Sequence, residues 1–294
     1  MAGYIKMGSS ESSESYASPL DVNRPLGGVV ELRTRQQVPL GHDLEHAKPY
    51  FGLPEEVVFC GQCVISNQRP NSAVEYKHRK DTPKETIKFD GSGTCDACNA
   101  SERKKHTDWS NREKELIELC NRHRRSDGRY DCLVPGSGGK DSFYAAHKLK
   151  YKYGMNPLTV TWAPHLYTEW GWANFQAWLN AGFDNQLMTP NPKIHRLLTR
   201  LAVENLFHPF QAFMFGQKSL APKFAAIFDI PLVFYGENEA EYGNPLQDNN
   251  AAQRDWSYFS ATAESDLFLG GTSVTELKEE YGLNDVDLAA YMPL

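Results

Sequence analysis

The sequence contains no apolar run of about 18 residues, the length a helix needs to cross a bilayer. Its start also lacks the basic-then-apolar pattern of an export signal. A cytoplasmic chain with no membrane partner is therefore expected. Positive charge is in short supply as well: 31 Lys and Arg face 37 Asp and Glu, for a formal net charge of −6. The broad basic field of a DNA or tRNA binder is missing, which counts against a nucleic-acid partner. Cysteine is scarce, six in 294 residues. In a reducing compartment these stay as thiols, so a disulfide framework is not expected.

What is present is enough for a core. Apolar residues make up 40% and aromatics 12% of the chain, which excludes full disorder and suits one main domain with a small accessory module. Residues 1–45, rich in Ser and Glu at their start, read as a flexible tail. Residues 46–108 are polar and turn-rich with a cysteine pair near each end, a composition that folds poorly without a metal. Residues 109–294 carry the alternation of an α/β domain.

That alternation begins with a helix after Asp108 or Ser110, ended by Asp127-Gly128. YDCLVPG (130–136) reads as a buried strand and SFYAAHKLKYKYG as the helix behind it, stopped at Gly154. PLTVTWA (157–163), EWGWANFQAWLNAG (169–182) and FDNQLMTP (183–190) continue as strand, helix and strand. Helices near 193–206 and 219–228 and the strand IPLVFYG (230–236) complete the pattern. Such alternation implies a parallel sheet with crossover helices.

The strongest chemical signal is PGSGGKDS at 135–142. A glycine turn between strand and helix aims backbone N–H groups and the positive helix end at an anion. It is not a Walker A loop, because Val134 stands where that pattern needs Gly and Asp141 follows Lys140 where Ser or Thr is needed. SGGKDS instead resembles the pyrophosphate loop (PP-loop) of ATP pyrophosphatases, matching at Ser137, Gly138, Gly139, Asp141 and Ser142. Such enzymes split ATP between its α and β phosphates. A departing pyrophosphate needs close backbone donors, hydroxyls and a Mg²⁺ held by a carboxylate. Asp141 is expected to hold or orient that Mg²⁺, and Lys140 to neutralise developing charge; these two form the expected catalytic pair. The rival reading is a plain Gly-Ser turn with Asp141 as a helix cap.

GENEAEYG (236–243) follows the strand IPLVFY, which sets Glu237, Asn238 and Glu241 at the carboxyl edge of the sheet, where open α/β folds bind ligands. Gly236, Asn238 and Glu241 match a Gly-x-Asn-x-x-acid segment that meets the nucleotide or metal in PP-loop enzymes. They join the expected ATP-binding set with Thr161 of the second strand. A solvated acidic loop is the alternative.

Cys60, Cys63, Cys95 and Cys98 form CGQC and CDAC, a four-thiolate set suited to tetrahedral Zn²⁺. Their 31-residue separation exceeds the usual ribbon spacing and marks an insertion between two knuckles. A redox pair or an iron–sulfur cluster are the other readings, but no βαβ pattern surrounds either CxxC. Trp162, Trp170, Trp172 and Trp178 are assigned to core packing rather than ring stacking. His147, His165, His195 and His208 are scattered and taken as surface or core residues. FGQKS (215–219) is placed ahead of a helix, either near an acceptor or as simple helix entry.

Taken in order over about residues 55–245, the two CxxC pairs, YDCLVPGSGGKDS and IPLVFYGENEAEYG resemble the N-acetyl sugar amidotransferase family of lipopolysaccharide and flagellin-glycan biosynthesis. The resemblance implies an adenine nucleotide alpha hydrolase-like PP-loop domain behind a zinc module. It implies conversion of the acetamido group of a nucleotide-activated N-acetyl sugar into an acetamidino group, with ATP giving AMP and pyrophosphate. Neither a Gly-x-Cys-x-Gly elbow nor an N-terminal Cys nucleophile is present, so ammonia is expected from solution or from a separate glutaminase partner. Members of that family generally run on past AAYMPL, so a C-terminal substrate lid is expected to be missing. The competing class is a tRNA thiolase, which also joins cysteine knuckles to a PP-loop but needs catalytic cysteines in the PP-loop domain, where Cys132 sits in a strand. A non-enzymatic scaffold is the third class.

Overall fold

The computed structural model describes residues 49, 52–70, 76, 78–237 and 267–294, all within one unit spanning Lys48–Leu294. The expected tail over 1–45, and Asn238 and Glu241, lie outside the described residues.

The framework is a parallel sheet of β1 (Cys132–Pro135), β2 (Pro157–Trp162) and β3 (Asp184–Met188), in that order. Leu133 sits opposite Leu158, and Leu158 opposite Asp184. Every residue of β2 is buried, as befits a parallel strand covered on both faces. Helix α3 (Lys140–Tyr151) links β1 to β2, and α4 (Glu169–Asn180) links β2 to β3. Thr168 caps α4 by accepting from Gly171 N at 3.0 Å. With α2 (Trp109–His123), capped by Asp108, they cover one face, where Cys132 and Val134 pack with Cys120, Leu149, Phe175 and Trp178. Helices α5 (Pro192–Leu206) and α6 (Gln211–Ile227) cover the other, against Leu133, Leu158, Val160 and Trp162.

The expected strand over 230–236 contracts to a single parallel bridge, Leu133 to Val233. Leu133 N donates to Leu232 O at 2.8 Å and Phe234 N to Leu133 O at 2.9 Å. The next donor on that side of β1 belongs to Pro135, which has no N–H, so the ladder stops there. The bridge still puts this segment on the side of β1 away from β2. The chain therefore runs outward over β1, β2 and β3, then returns to β1's other side, and strand order reverses at β1.

Two further expectations are corrected. FGQKS lies inside α6 and not before it; at Gly216 the helix crosses the Trp162 indole, where a Cβ would come within 2.1 Å of Cε2. Trp162 and Trp178 are buried core residues, but Trp170 and Trp172 stand 81% and 49% exposed, because α4 turns that side to solvent.

The C-terminal part completes the second face. A Gly270-Gly271 turn joins β4 (Phe268–Leu269) to β5 (Thr272–Ser273), both glycines at positive φ as a two-residue hairpin requires. Short helices α7 (Val274–Glu279) and α8 (Asp285–Leu288) follow, and Leu269, Val274, Leu277, Leu288 and Tyr291 join the core around α5 and α6. Helix α1 (Asp96–Lys105) belongs to the cysteine module. Among the described residues no helix is long and apolar enough to cross a membrane.

Candidate functional site

The loop after β1 ends in α3, whose N-cap, Gly139, offers no side chain. The first-turn amides of a helix lack intrahelical acceptors, so this end presents donors and a positive dipole to an anion. Ser142 Oγ turns back to Gly139 O at 3.2 Å. Lys140 Nζ lies 2.8 Å from both carboxylate oxygens of Asp141, with the two side chains 88% and 51% exposed. An ion pair that open to solvent is weak and can exchange partners at little cost.

Two backbone contacts clamp the loop. Gly138, at φ +88°, faces α4 so closely that a Cβ would lie 2.3 Å from Asn174 O. From the other flank Gly236 presses on the start of α3, where a Cβ would lie 2.5 Å from Ser142 N. Ser137, Gly138, Gly139, Lys140, Asp141, Ser142 and Gly236 are thus gathered at the carboxyl edge of the sheet, beside the reversal of strand order, the usual ligand crevice of such folds. Thr161 is apart from them in role: it is fully buried in β2 and its hydroxyl accepts from Asn185 Nδ2 at 3.0 Å, tying β2 to β3.

Sequence reasoning missed a cleft on the α4 flank of the loop. This cleft of about 440 Å³ is lined by Gly138, Lys140, Phe143, Tyr144, His147 and Asn174. The signal was available in part, since Lys140, Tyr144 and His147 recur at the spacing of one helix face. Asn174 had no local signal.

The four expected metal ligands do meet. The thiol sulfurs of Cys60, Cys63, Cys95 and Cys98 all lie within 4.8 Å of one another, with Cys63 and Cys95 at 3.6 Å. Tetrahedral Zn²⁺ with bonds near 2.3 Å asks for sulfurs about 3.8 Å apart, so the donor set fits zinc. Gln62 N and Cys95 N point at Cys60 Sγ at 3.4 and 3.3 Å. Burial pushes the Cys60 thiol up, but the backbone donors of Gln62, Cys95 and Cys63 together win and bring it down to about 6. Burial raises Cys98, and the crowding of Cys63 and Cys95 adds to it. A cation in their midst would relieve that crowding.

The insertion between the knuckles has a structural purpose that spacing could not reveal. Tyr76 is buried in the main core, stacked on Phe215 with ring centroids 4.4 Å apart. Its hydroxyl donates to Tyr291 O at 3.1 Å, while Tyr291 Oη meets His195 Nδ1 at 2.7 Å. Burial, then the neighbouring His165, lowers His195 to about 4. Cys120 and Cys132 are both buried, and burial raises both thiols.

No protein-family model matches the chain. Over 77 residues it is 34% identical to a protein of Methanocaldococcus jannaschii described as uncharacterized, covering 26% of this chain and 27% of that one. The chain thus spans about a quarter of the length of the curated relative it matches. Among solved structures it is similar to the NH3-dependent NAD synthetase from Campylobacter jejuni in complex with nitrate, at a TM-score of 0.36 and 14% identity, over 62% of this chain and 77% of that chain.

Proposed function

We propose that the chain is an ATP-dependent amidating enzyme of the PP-loop type, acting on the acetamido carbonyl of a nucleotide-activated N-acetyl sugar. The observation that carries the reading is the uncapped, glycine-clamped start of α3, with Gly138 and Gly236 packed against backbone on either flank. Such a rigid set of donors suits the negative charge that gathers on a leaving pyrophosphate.

An amide oxygen leaves poorly, so it first attacks the α phosphate of ATP and pyrophosphate departs. Ammonia then adds to the activated carbon, AMP leaves with the former amide oxygen, and a proton is released to give the amidine. First-turn amides of α3 and the Ser137 and Ser142 hydroxyls hold the phosphates. Lys140 shifts from Asp141 to the charge that develops during phosphoryl transfer. Asp141, exposed at the same point, would hold Mg²⁺, which when bound neutralises the pyrophosphate. Ammonia comes from solution or from a glutaminase partner. The four-cysteine set closes its own coordination shell, so zinc there would be structural.

The thiolase reading is disfavoured because Cys120 and Cys132 are buried with raised thiol pKa values, and a nucleophilic sulfur needs the opposite environment. The test is to incubate the purified chain with ATP, Mg²⁺, ammonium and a set of nucleotide-linked acetamido sugars. The expected result is AMP, pyrophosphate and a sugar in which one NH replaces one oxygen. ADP and phosphate as products would overturn the PP-loop assignment.

A further inference from the structure

The cleft between α3 and α4 lies on the flank of the loop opposite Gly236. A nucleotide in the crevice at the strand-order reversal, between β1 and the 230–236 segment, is on the Gly236 flank. The second flank is closed by Asn174 against Gly138, and the cleft opens from there along α3. ATP on the first flank therefore leaves the cleft for another ligand.

Its lining has a definite chemistry. Lys140, Tyr144 and His147 form a stripe on α3, and Phe143 lies beneath them, its ring edge-on to Trp178 at 5.6 Å. Tyr144 is 65% exposed, with Lys148 Nζ 5.3 Å from its ring centroid. His147 rests on Tyr151 at 4.7 Å. The Lys140 ammonium, paired with Asp141, an imidazole and the exposed Tyr144 ring, already in contact with Lys148, thus stand together at this cleft. Aromatic faces stack on rings and ammonium groups attract phosphate oxygens, while the Asn174 amide can pair with a ring substituent. The cleft, of about 440 Å³, is open along α3, so a ligand held there keeps one side in solvent.

We propose that the α3–α4 cleft is a second ligand site that takes a phosphorylated ring compound of nucleoside diphosphate kind, the acceptor side of the reaction. The proposal rests on reading the α3 loop as the ATP phosphate site. Lys140 stands at the boundary of the two sites, where the acceptor's reacting end meets the α phosphate.

The test uses the full chain saturated with Mg²⁺ and α,β-methylene-ATP, titrated with UDP by calorimetry. UDP is expected to bind alongside the analogue. Tyr144→Ala with His147→Ala should weaken UDP at least about five-fold, the lower end of what losing a stacking ring costs. Both side chains are exposed, so circular dichroism should be unchanged, and analogue affinity should stay within about two-fold. UDP excluded by the analogue, or bound equally well by the double variant, would overturn the second site while leaving the loop reading intact. Failure of the analogue itself to bind would instead remove the loop reading, and this proposal with it. Tight binding of a single-stranded oligonucleotide that Tyr144→Ala abolishes, with no binding of UDP, would also overturn it.

Discussion

Gly236 and Ser142 meet backbone to backbone: a Cβ on Gly236 would lie 2.5 Å from both the nitrogen and the Cα of Ser142. No side chain can enter that space unless the segment after β1's partner and the start of α3 move apart. Gly236→Ala is expected to cost about 1–3 kcal/mol in stability and to weaken Mg·ATP binding at least ten-fold. Thermal unfolding and equilibrium binding measure the two effects. Unchanged ATP affinity would show that this contact has no part in forming the phosphate site.

The cysteine set leads to a compositional result. Elemental analysis should find one zinc per chain, and Cys98→Ser should abolish it, because three thiolates leave the shell open. Hydrogen exchange should then accelerate over residues 57–105 while β1 and β2 keep their protection. An iron–sulfur absorption band in the purified protein would contradict the zinc reading.

Tyr76 anchors the insertion to the main core, so its removal should act on a different part of the molecule. Tyr76→Ala is expected to cost about 3–5 kcal/mol in global stability, the range for emptying a buried aromatic site. Zinc content should be unchanged, since no cysteine ligand touches Tyr76's ring stack on Phe215. Tyr76→Phe keeps the stack and loses the hydroxyl's bonds to Tyr291 O and Ser219, for about 1–2 kcal/mol. Urea unfolding with zinc measured on the same samples separates the two variants.

Much of this framework was legible because its signals are local. The apolar runs of β1 and β2, and the stops at Gly154 and Gly182, both at positive φ, announce themselves in short windows. The place of the loop between β1 and α3 was legible from its glycines. What failed depended on partners distant in sequence. The strand over 230–236 needed a donor from Pro135, and the start of α6 was hidden by Gly216 and Pro222, residues that break helices unless packing overrides them. Asn174's approach to Gly138 and Tyr76's place between Phe215 and Tyr291 join segments that only the folded chain brings together.

His195 carries a pH dependence whose sign follows from its environment. Its pKa falls from the ordinary 6.5 to about 4, by burial first and by the charge of His165 second, with Tyr291 Oη 2.7 Å from its Nδ1. Above about pH 6.5 the ring is neutral in both folded and unfolded chains, and its contribution is fully present. Below that value the unfolded chain takes up a proton that the folded chain refuses, so stability is lost until about pH 4. The wild type should therefore lose more stability than His195→Gln between about pH 7 and about pH 4.5. Urea midpoints of both proteins at the two pH values decide it, and parallel losses would mean that His195 is already protonated in the fold.

Asp141 distinguishes a catalytic carboxylate from a helix cap. Its side chain is half exposed and paired only with its neighbour Lys140 among the contacts of the loop, so Asp141→Asn should change stability by less than about 1 kcal/mol. Removing a preorganised charge from a phosphoryl-transfer site typically costs on the order of a hundred-fold in rate. Exchange of labelled pyrophosphate into ATP, with the sugar acceptor present, isolates the adenylation step from attack by ammonia. Asp141→Asn is expected to fold as the wild type does and to lose that exchange. Lys140→Gln should lose it too, because the same step draws on its charge, whereas Tyr144→Ala should keep exchange at saturating acceptor. Exchange at the wild-type rate in Asp141→Asn would reduce this carboxylate to a surface partner of Lys140 and leave the chemistry to residues outside the loop.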